Sequence, residues 1–202
     1  GFFESEQLYF KQCAFRFGGG RLMYFFTADE HYNHANVIKF MNRPFQNLTE
    51  MNCELVRRNN EVVKKDDWVI HAGDFCWKGS SEFIRDLQKS LVGNHVYLRG
   101  SHDNWMNGSY HEIWEKNIEG QHIVVCHYAM RNWGKSHWNS WQLHGHSHGK
   151  LEPIGKQYDV GVDCNNFYPV SFEYLQGIMK LKKDNFDLIE KDLEVPNINT
   201  DF

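Results

Sequence analysis

The sequence predicts a single α/β domain, and three observations lead to this prediction. The chain has 202 residues, a length that suits one domain with a sizeable core. Short apolar runs of strand length alternate along the chain with segments whose apolar residues recur at helical spacing. Small groups of Asp and His residues follow the apolar runs, which is where α/β sheets carry their functional sites.

The apolar runs that we interpret as strands are short, and most end at a charged or imidazole side chain. The first begins the compact part of the chain and leads directly into Asp29. Runs of this length with few polar residues are typical of strands buried on both faces. The predicted strands are residues 22–27, 67–71, 95–98, 122–126 and 159–162.

Three segments have apolar residues at helical spacing. Residues 49–64 form the first predicted helix, with its N-terminal cap near Thr49 and Asn52. The second runs from Ser80 or Ser81 to Leu91, because serine is a favoured N-cap. The third begins after Ser171, and its apolar stripe includes Phe172, Leu175, Ile178 and Met179.

The chain divides into one domain and two flanking segments. Residues 1–20 are aromatic and irregular and form a predicted N-terminal extension, which an expression vector can also contribute. Residues 21–183 form the predicted domain. The polar residues 184–202 form a predicted peripheral tail.

Composition excludes several classes of protein. The net charge of −4 argues against long nucleic acid as a partner. No apolar run approaches the roughly 18 residues that a transmembrane helix needs, so no membrane association is expected. The five cysteines are odd in number and include no C-x-x-C pair, which argues against a disulfide scaffold and a zinc ribbon. We therefore expect a protein of the reducing cytoplasm.

The residues that point to chemistry are those that follow the strands. They are more numerous than one metal ion needs, since one ion takes about four to six ligands. Carboxylates and imidazoles together suit zinc, manganese or iron, and a carboxylate can bridge two ions. Taken singly, each has an ordinary alternative as a turn residue or a surface histidine. The set comprises Asp29, His31, Asp74, Ser101, His102, Asp103, His127, His146 and His148.

In their order and spacing these residues resemble the calcineurin-like metallophosphoesterases, in particular the small bacterial and phage branch. That family's pattern is D-x-H, G-D, G-N-H-D/E, a lone H and G-H-x-H. Here the blocks are D-E-H at 29–31, G-D at 73–74, G-S-H-D at 100–103, His127 and G-H-S-H at 145–148. The resemblance implies a four-layer α/β/β/α sandwich of two mixed sheets with metal ions at one edge.

The resemblance also implies a role for each motif residue. One ion would be held by Asp29, His31 and His148, and Asp74 would bridge to a second ion held by His127 and His146, with Ser101 as a further ligand. His102 would donate a proton to the leaving oxygen and Asp103 would orient it. The cofactors would be two divalent or trivalent ions. Manganese is the first choice, and iron, zinc and nickel are the alternatives.

Position 101 departs from the family pattern. The family has Asn there, whose carbonyl oxygen binds the second ion, whereas Ser101 offers a shorter side chain and a weaker ligand. We expect the second ion to bind with lower affinity than the first.

Other residues near the motifs can contact substrate. His34 can reach a phosphate oxygen, and Arg43 and Arg131 can clamp phosphate by bidentate hydrogen bonds. The ordinary alternatives are a capping role and surface ion pairs. Tryptophans 105, 133 and 138 can stack on a nucleobase, although core packing is the more frequent use of Trp.

The expected function is hydrolysis of a phosphodiester or phosphomonoester by metal-activated water. The partner is then a small phosphate ester or a nucleotide, and the lack of a large capping domain favours diesters. One alternative is a catalytically weakened relative that serves as a binding scaffold, for which Ser101 is the only support. Another is a nuclease or a cyclic-nucleotide phosphodiesterase.

Overall fold

A computed structural model describes residues 21–108 and 110–185 of the chain. The predicted N-terminal extension and nearly all of the predicted tail lie outside these residues. Within them, no helix is both long and apolar enough to cross a bilayer.

The described residues form eight strands and four α-helices, and most predicted elements are confirmed. The predicted strand at 159–162 is shifted: the strand ends at Asp159, and a short 3-10 helix covers Val162–Cys164. In chain order the elements are β1 Tyr24–Thr27, α1 Ala35–Phe40, α2 Leu48–Val62, β2 Trp68–His71, α3 Ser81–Ser90, β3 Asn94–Tyr97, β4 Ile113–Ile118, β5 Gln121–Cys126, β6 Trp141–His144, β7 Gln157–Asp159, β8 Val170–Ser171 and α4 Phe172–Met179.

The strands form two four-stranded mixed sheets. The first has the order β3-β2-β1-β8, with β1, β2 and β3 parallel and β8 antiparallel to β1. The second has the order β4-β5-β6-β7, in which β4 is antiparallel to β5 and the other pairs are parallel. Because parallel strands end at the same edge of a sheet, the loops after β1, β2 and β3 lie close together, and so do those after β5 and β6.

Alternating side chains of β1 separate two layers of the core. Phe26 packs in the core between the sheets, together with Ile70 of β2 and Leu143 of β6. Its neighbour Phe25 packs on the opposite face with Val63, at the end of α2. Successive side chains of a strand point to opposite faces, so a strand buried on both faces needs an apolar residue at every position.

The helices are positioned by their caps and their apolar faces. Asn47, not the predicted Thr49, caps α2, and its side chain accepts a hydrogen bond from the Glu50 amide at 2.9 Å. Ser80 caps α3 as predicted. Ser171 caps α4, whose buried side chains join the same core as Phe26, and Phe172 contacts Trp141 of β6. The predicted fold class, a single-domain α/β/β/α sandwich of two mixed sheets, is confirmed.

Candidate metal centre

Loops after β1 and β6 bring three predicted ligands together. Asp29 and His31 follow β1, and His148 lies in the loop after β6. One ligand atom from each lies within 4.8 Å of the others, so these three residues could hold a metal ion. We call Asp29, His31 and His148 the first group.

Three further predicted ligands meet beside the first group. Asp74 follows β2, His127 follows β5 and His146 lies in the loop after β6. Their ligand atoms also lie within 4.8 Å of one another. We call Asp74, His127 and His146 the second group; its His146 is exposed, whereas Asp74 and His127 are buried.

Asp74 faces both groups. Its Oδ2 atom lies 3.4 Å from His127 Nε2 in the second group and 3.7 Å from His31 Nε2 in the first. Burial opposes ionisation of Asp74, but the His127 imidazole and the His102 amide hold its pKa below the usual value. An ionised carboxylate in this position could be shared by two cations, one at each group.

Orphaned polar atoms show that the residues fit a cation. His127 Nδ1 lies 2.9 Å from the Ala72 carbonyl, which fixes the proton on Nδ1 and turns the Nε2 lone pair towards Asp74. His127 Nε2 is buried without a hydrogen-bond partner, and so is His31 Nδ1. A lone pair aimed at a carboxylate 3.4 Å away is repulsive unless a proton or a metal ion lies between them.

The charges around the two groups also favour a bound cation. Burial, and then the neighbouring carboxylates of Asp159 and Asp74, raise the pKa of Asp29 well above its usual value. Burial lowers the pKa of His31 to about 3, so its imidazole is neutral, which is the form that binds metal ions. A bound cation would relieve the repulsion among the carboxylates.

The backbone is strained at five of the six residues in the two groups. Their φ angles lie in the left-handed region, which costs L-residues roughly 1–2 kcal/mol each. Backbone hydrogen bonds hold the loops in place: the Asp29 amide donates to the Gly73 carbonyl and the His31 amide to the Asp74 carbonyl, both at 3.0 Å. The angles are 59° at Asp29, 52° at His31, 57° at Asp74, 66° at His146 and 47° at His148.

Two glycines let these loops approach one another. A Cβ atom on Gly100 would lie 2.2 Å from the Asp74 amide nitrogen and 2.3 Å from its Oδ1 atom. A Cβ atom on Gly145 would lie 2.6 Å from Asp29 Oδ2. The glycines of the G-S-H-D and G-H-S-H blocks are therefore steric requirements of the two groups.

The structure contradicts the phosphate-binding role predicted for Arg43. Its guanidinium has no exposed surface and binds Asp163 through two hydrogen bonds of 2.7 and 2.8 Å. It also donates to the backbone carbonyls of Asp29 and Glu30. A fully buried guanidinium with these partners does not reach a phosphate, so Arg43 supports the first group from behind.

Asp163 links Arg43 to the first group. Its Oδ2 atom lies 2.6 Å from His148 Nδ1, which leaves Nε2 of that ring as the atom available to a metal ion. The Asp163 carboxylate therefore joins two loops, because Arg43 holds the backbone at Asp29 while His148 comes from the loop after β6. Sequence analysis did not identify Asp163 as a site residue.

Asp103 has a different place from the one the resemblance implies. Its carboxylate accepts hydrogen bonds from the amides of Asp74, Gly100 and Cys76 and from the Trp105 indole. These four donors tie the loop after β2 to the loop after β3. Asp103 therefore positions the two loops, and its oxygens are not directed at the His102 ring.

His102 lies at the mouth of the site. Its Nε2 atom is 3.9 Å from Asp74 Oδ2, and its side chain is 39% exposed. The ring packs edge-on against Trp77 at 4.8 Å and lies 5.3 Å from the His31 ring. This position leaves His102 accessible to a molecule that sits over the two groups.

Ser101 and His34 border the two groups on different elements. The exposed Ser101 hydroxyl donates to Asp74 Oδ2 at 3.0 Å, so its oxygen lies beside the second group. The His34 ring stacks on Trp77 at 4.7 Å and lies 5.3 Å from the His31 ring. Their roles as ligand and substrate contact stay predictions.

The remaining predicted contacts lie in the loop after β5 or near β3. Arg131 is exposed, and its carbonyl accepts a hydrogen bond from Asn185; its role in substrate binding stays a prediction. Trp133 is buried and Trp105 donates to Asp103, so both have structural positions. Trp138 is 76% exposed.

Sequence analysis missed further supporting residues besides Asp163. Asp159 holds the loop that carries His146 and His148, because its carboxylate accepts hydrogen bonds from the Ser147 hydroxyl and the Gly149 amide. Glu30 Oε1 lies 2.5 Å from His71 Nδ1, and His71 Nε2 lies 2.8 Å from His95 Nδ1, which forms a buried chain behind the first group. Glu30 lies within the D-E-H block, which was an available signal, whereas Asp159 and Asp163 lie well beyond the G-H-S-H block.

Fold and site together define an α/β protein with two adjacent candidate metal-binding groups at one edge of its sheets. The Uncharacterized protein MJ1445 of Methanocaldococcus jannaschii is 32% identical over 167 residues, which cover 79% of this chain and 92% of that protein. The chain therefore belongs to the same family as the M. jannaschii protein. No protein-family model matches the chain.

A solved structure shows the same fold. The Aquifex aeolicus protein of unknown function AQ665 matches with a TM-score of 0.62 and 21% identity, over 78% of this chain and 100% of that one. A predicted phosphoesterase from Streptococcus pneumoniae TIGR4 gives a TM-score of 0.38 and 15% identity, over 65% of each chain.

Proposed function

We propose that this protein is a metal-dependent phosphoesterase that hydrolyses phosphate esters with metal-activated water. The observation that carries the proposal is the position of Asp74, whose Oδ2 atom lies 3.4 Å from an imidazole of one group and 3.7 Å from an imidazole of the other. Two ions held in this way would supply a nucleophilic water at neutral pH and positive charge for the phosphoryl oxygens.

Each group would contribute three side chains to its ion, and Asp74 of the second group would also contact the first ion. The first group offers one carboxylate and two imidazoles, and so does the second. This mixed oxygen and nitrogen set suits manganese, iron or zinc, and we propose Mn²⁺ for the working enzyme. Ser101 would add a neutral oxygen to the second group.

His102 is the proposed proton donor. It is accessible at the mouth of the site, and its Nε2 atom lies 3.9 Å from Asp74, close to where a phosphoryl group over both groups would sit. A proton given to the leaving oxygen would prevent an unstable alkoxide from forming. His34, stacked on Trp77 beside the first group, is the proposed contact to a phosphoryl oxygen.

We propose diesters as the preferred substrates. His146 and Ser101 are exposed, and the His102 side chain is 39% exposed, so the site opens to solvent on this side. An open site accommodates a phosphorus atom that carries two organic substituents. The proposal predicts faster turnover of bis-p-nitrophenyl phosphate than of p-nitrophenyl phosphate.

The test is hydrolysis of these two esters by metal-stripped protein, with and without added Mn²⁺. Asp74→Asn removes the shared negative charge while keeping the side-chain shape. Asp66→Asn, an exposed aspartate outside both groups, is the matched control. We expect Mn²⁺-dependent turnover that survives in the control and is lost in Asp74→Asn.

Absence of turnover with both esters, in protein that binds Mn²⁺, would reject the proposal of an active enzyme and leave a binding scaffold or a weakened site. The Ser101→Asn variant then separates a scaffold from a weakened enzyme. Turnover that appears only with asparagine at position 101 identifies a weakened site, and continued inactivity identifies a scaffold.

A further inference from the structure

A cleft of about 310 Å³ borders the second group. Its size is at the lower end of the range for pockets that bind small molecules. Because His127 belongs to both the cleft and the second group, a phosphoester over the two groups would have the cleft beside it. The cleft is lined by Arg99, Ser101, Glu112, Ile113, His127 and Tyr128, among others.

Tyr128 gives the cleft an aromatic surface that is exposed and held in place. Its side chain is 49% exposed, and Ile113 beside the same cleft is 51% exposed. The Tyr128 ring packs edge-on against His127 at 4.9 Å and against His146 at 4.8 Å. An exposed aromatic ring fixed by its neighbours can stack on a flat ligand with little loss of side-chain entropy.

Arg99 and Glu112 give the cleft a donor and an acceptor. Neither makes a salt bridge within residues 21–108 and 110–185, although both line the same cleft. The Arg99 guanidinium lies over the Tyr110 ring at 4.3 Å, which orients it. A ligand that satisfies both side chains must offer hydrogen-bond acceptors and donors, as the edge of a nucleobase does.

We propose that this cleft binds the nucleoside part of the substrate, so that the substrates are nucleotide esters. The proposal rests on the proposed function, because the phosphoryl group would lie over the two groups. The base stacks on Tyr128, its acceptor atoms face Arg99, and an amino group of the base donates to Glu112. Stacking of one base on one aromatic ring strengthens binding on the order of tenfold.

The test is equilibrium binding to the full chain by calorimetry, with and without Mn²⁺. The probes are the four nucleoside 5′-monophosphates and methyl phosphate, which has the phosphoryl group without the nucleoside. We expect at least one nucleotide to bind about tenfold more tightly than methyl phosphate. Tyr128→Ala and Arg99→Ala should each remove most of that difference, and Glu112→Gln should change the order of preference among the bases.

Trp138→Ala is the control, because Trp138 is an exposed aromatic residue outside the cleft lining, and the variant should keep the full difference. Equal affinity for methyl phosphate and all nucleotides, or no binding of any nucleotide, overturns the proposal. A difference that persists in both Tyr128→Ala and Arg99→Ala also overturns it, because the nucleoside then binds elsewhere.

The proposed function is judged separately by hydrolysis. If nucleotides bind through Tyr128 but no ester is hydrolysed, the nucleoside-binding cleft stands and the phosphoesterase activity is rejected. If bis-p-nitrophenyl phosphate is hydrolysed but nucleotides bind no more tightly than methyl phosphate, the activity stands and the nucleoside-binding cleft is rejected.

Discussion

The two groups differ in how firmly the rest of the fold supports them. In the first group, His148 is held by Asp163, and Asp163 in turn is held by the buried Arg43. In the second group, His146 is exposed, and the neighbouring Ser101 donates a hydrogen bond to Asp74. Preorganised ligands lose less entropy on binding, so we expect the first group to bind a metal ion more tightly than the second.

Asp74 of the second group also faces the first group, and Asp74→Asn should have the largest effect. The amide cannot supply the negative charge that both ions would share, so we expect turnover to fall by about a thousandfold or more. Electron paramagnetic resonance of Mn²⁺-loaded protein should show spin-coupled ions in the wild type and isolated ions in the variant. Coupled ions in Asp74→Asn would show that Asp74 does not bridge.

Gly100→Ala should have the next largest effect, because the added methyl group would clash with Asp74. The new methyl group would lie 2.2 Å from the Asp74 amide nitrogen, so the loop after β2 or the loop after β3 must move. We expect a loss of about 2–3 kcal/mol in the free energy of unfolding, measured with urea, together with weaker binding of both ions.

Gly177→Ala is the matched control for Gly100→Ala. Gly177 lies in α4, and a Cβ atom there meets nothing within 4 Å. Alanine in a helix interior stabilises by about 0.5–1 kcal/mol relative to glycine, so the two variants should change stability in opposite directions. Destabilisation of similar size in both would mean that crowding at Asp74 is not the cause.

Asp163→Asn tests the support of the first group alone. The variant keeps the side-chain shape but removes the charge that binds both Arg43 and His148. Loss of a carboxylate behind a ligating histidine weakens metal affinity by about 10–100-fold. Calorimetric titration with Mn²⁺ should show this loss at the tighter of the two sites, with the weaker site unchanged.

Asp66→Asn is again the control, since it makes the same chemical change at an exposed position outside both groups. A loss at the weaker site in Asp163→Asn would reverse the comparison between the groups. It would mean that the second group, not the first, is the tighter one.

Sequence reasoning found the six residues of the two groups but missed the residues that support them, for a physical reason. Each of the six lies within three residues of the end of its strand, or two residues from another of the six, so the sequence pattern is local. Asp163 acts on Arg43, which is 120 residues distant, and nothing near Arg43 in sequence indicates that partner. A guanidinium binds a carboxylate as readily as a phosphate, and Arg43 binds the Asp163 carboxylate. The predicted phosphate-binding role of Arg43 was therefore wrong.

The same distinction applies to the fold. Buried strands such as β1 and β2 have continuous apolar runs that predict them. Strand β4 lies at the edge of its sheet and is largely exposed, so its sequence IWEKNI has no apolar run to detect. Helix α1 has six residues, too few for helical spacing of apolar residues to be recognised.

Ser101→Asn should have the smallest effect, and it should raise Mn²⁺ affinity rather than lower it. Position 101 is exposed beside Asp74, so the longer side chain has room, and its carbonyl oxygen is a better ligand than the serine hydroxyl. We expect affinity at the weaker Mn²⁺ site to rise about tenfold, while the tighter site stays the same. Ser101→Ala, which offers no ligand atom, should lower the affinity of the weaker site.

Two equal, tight sites in the wild type would contradict the expected weakness of the second group, because that group would then need no further ligand. A gain at the tighter site in Ser101→Asn would place position 101 with the first group and remove the asymmetry between the two groups at its source.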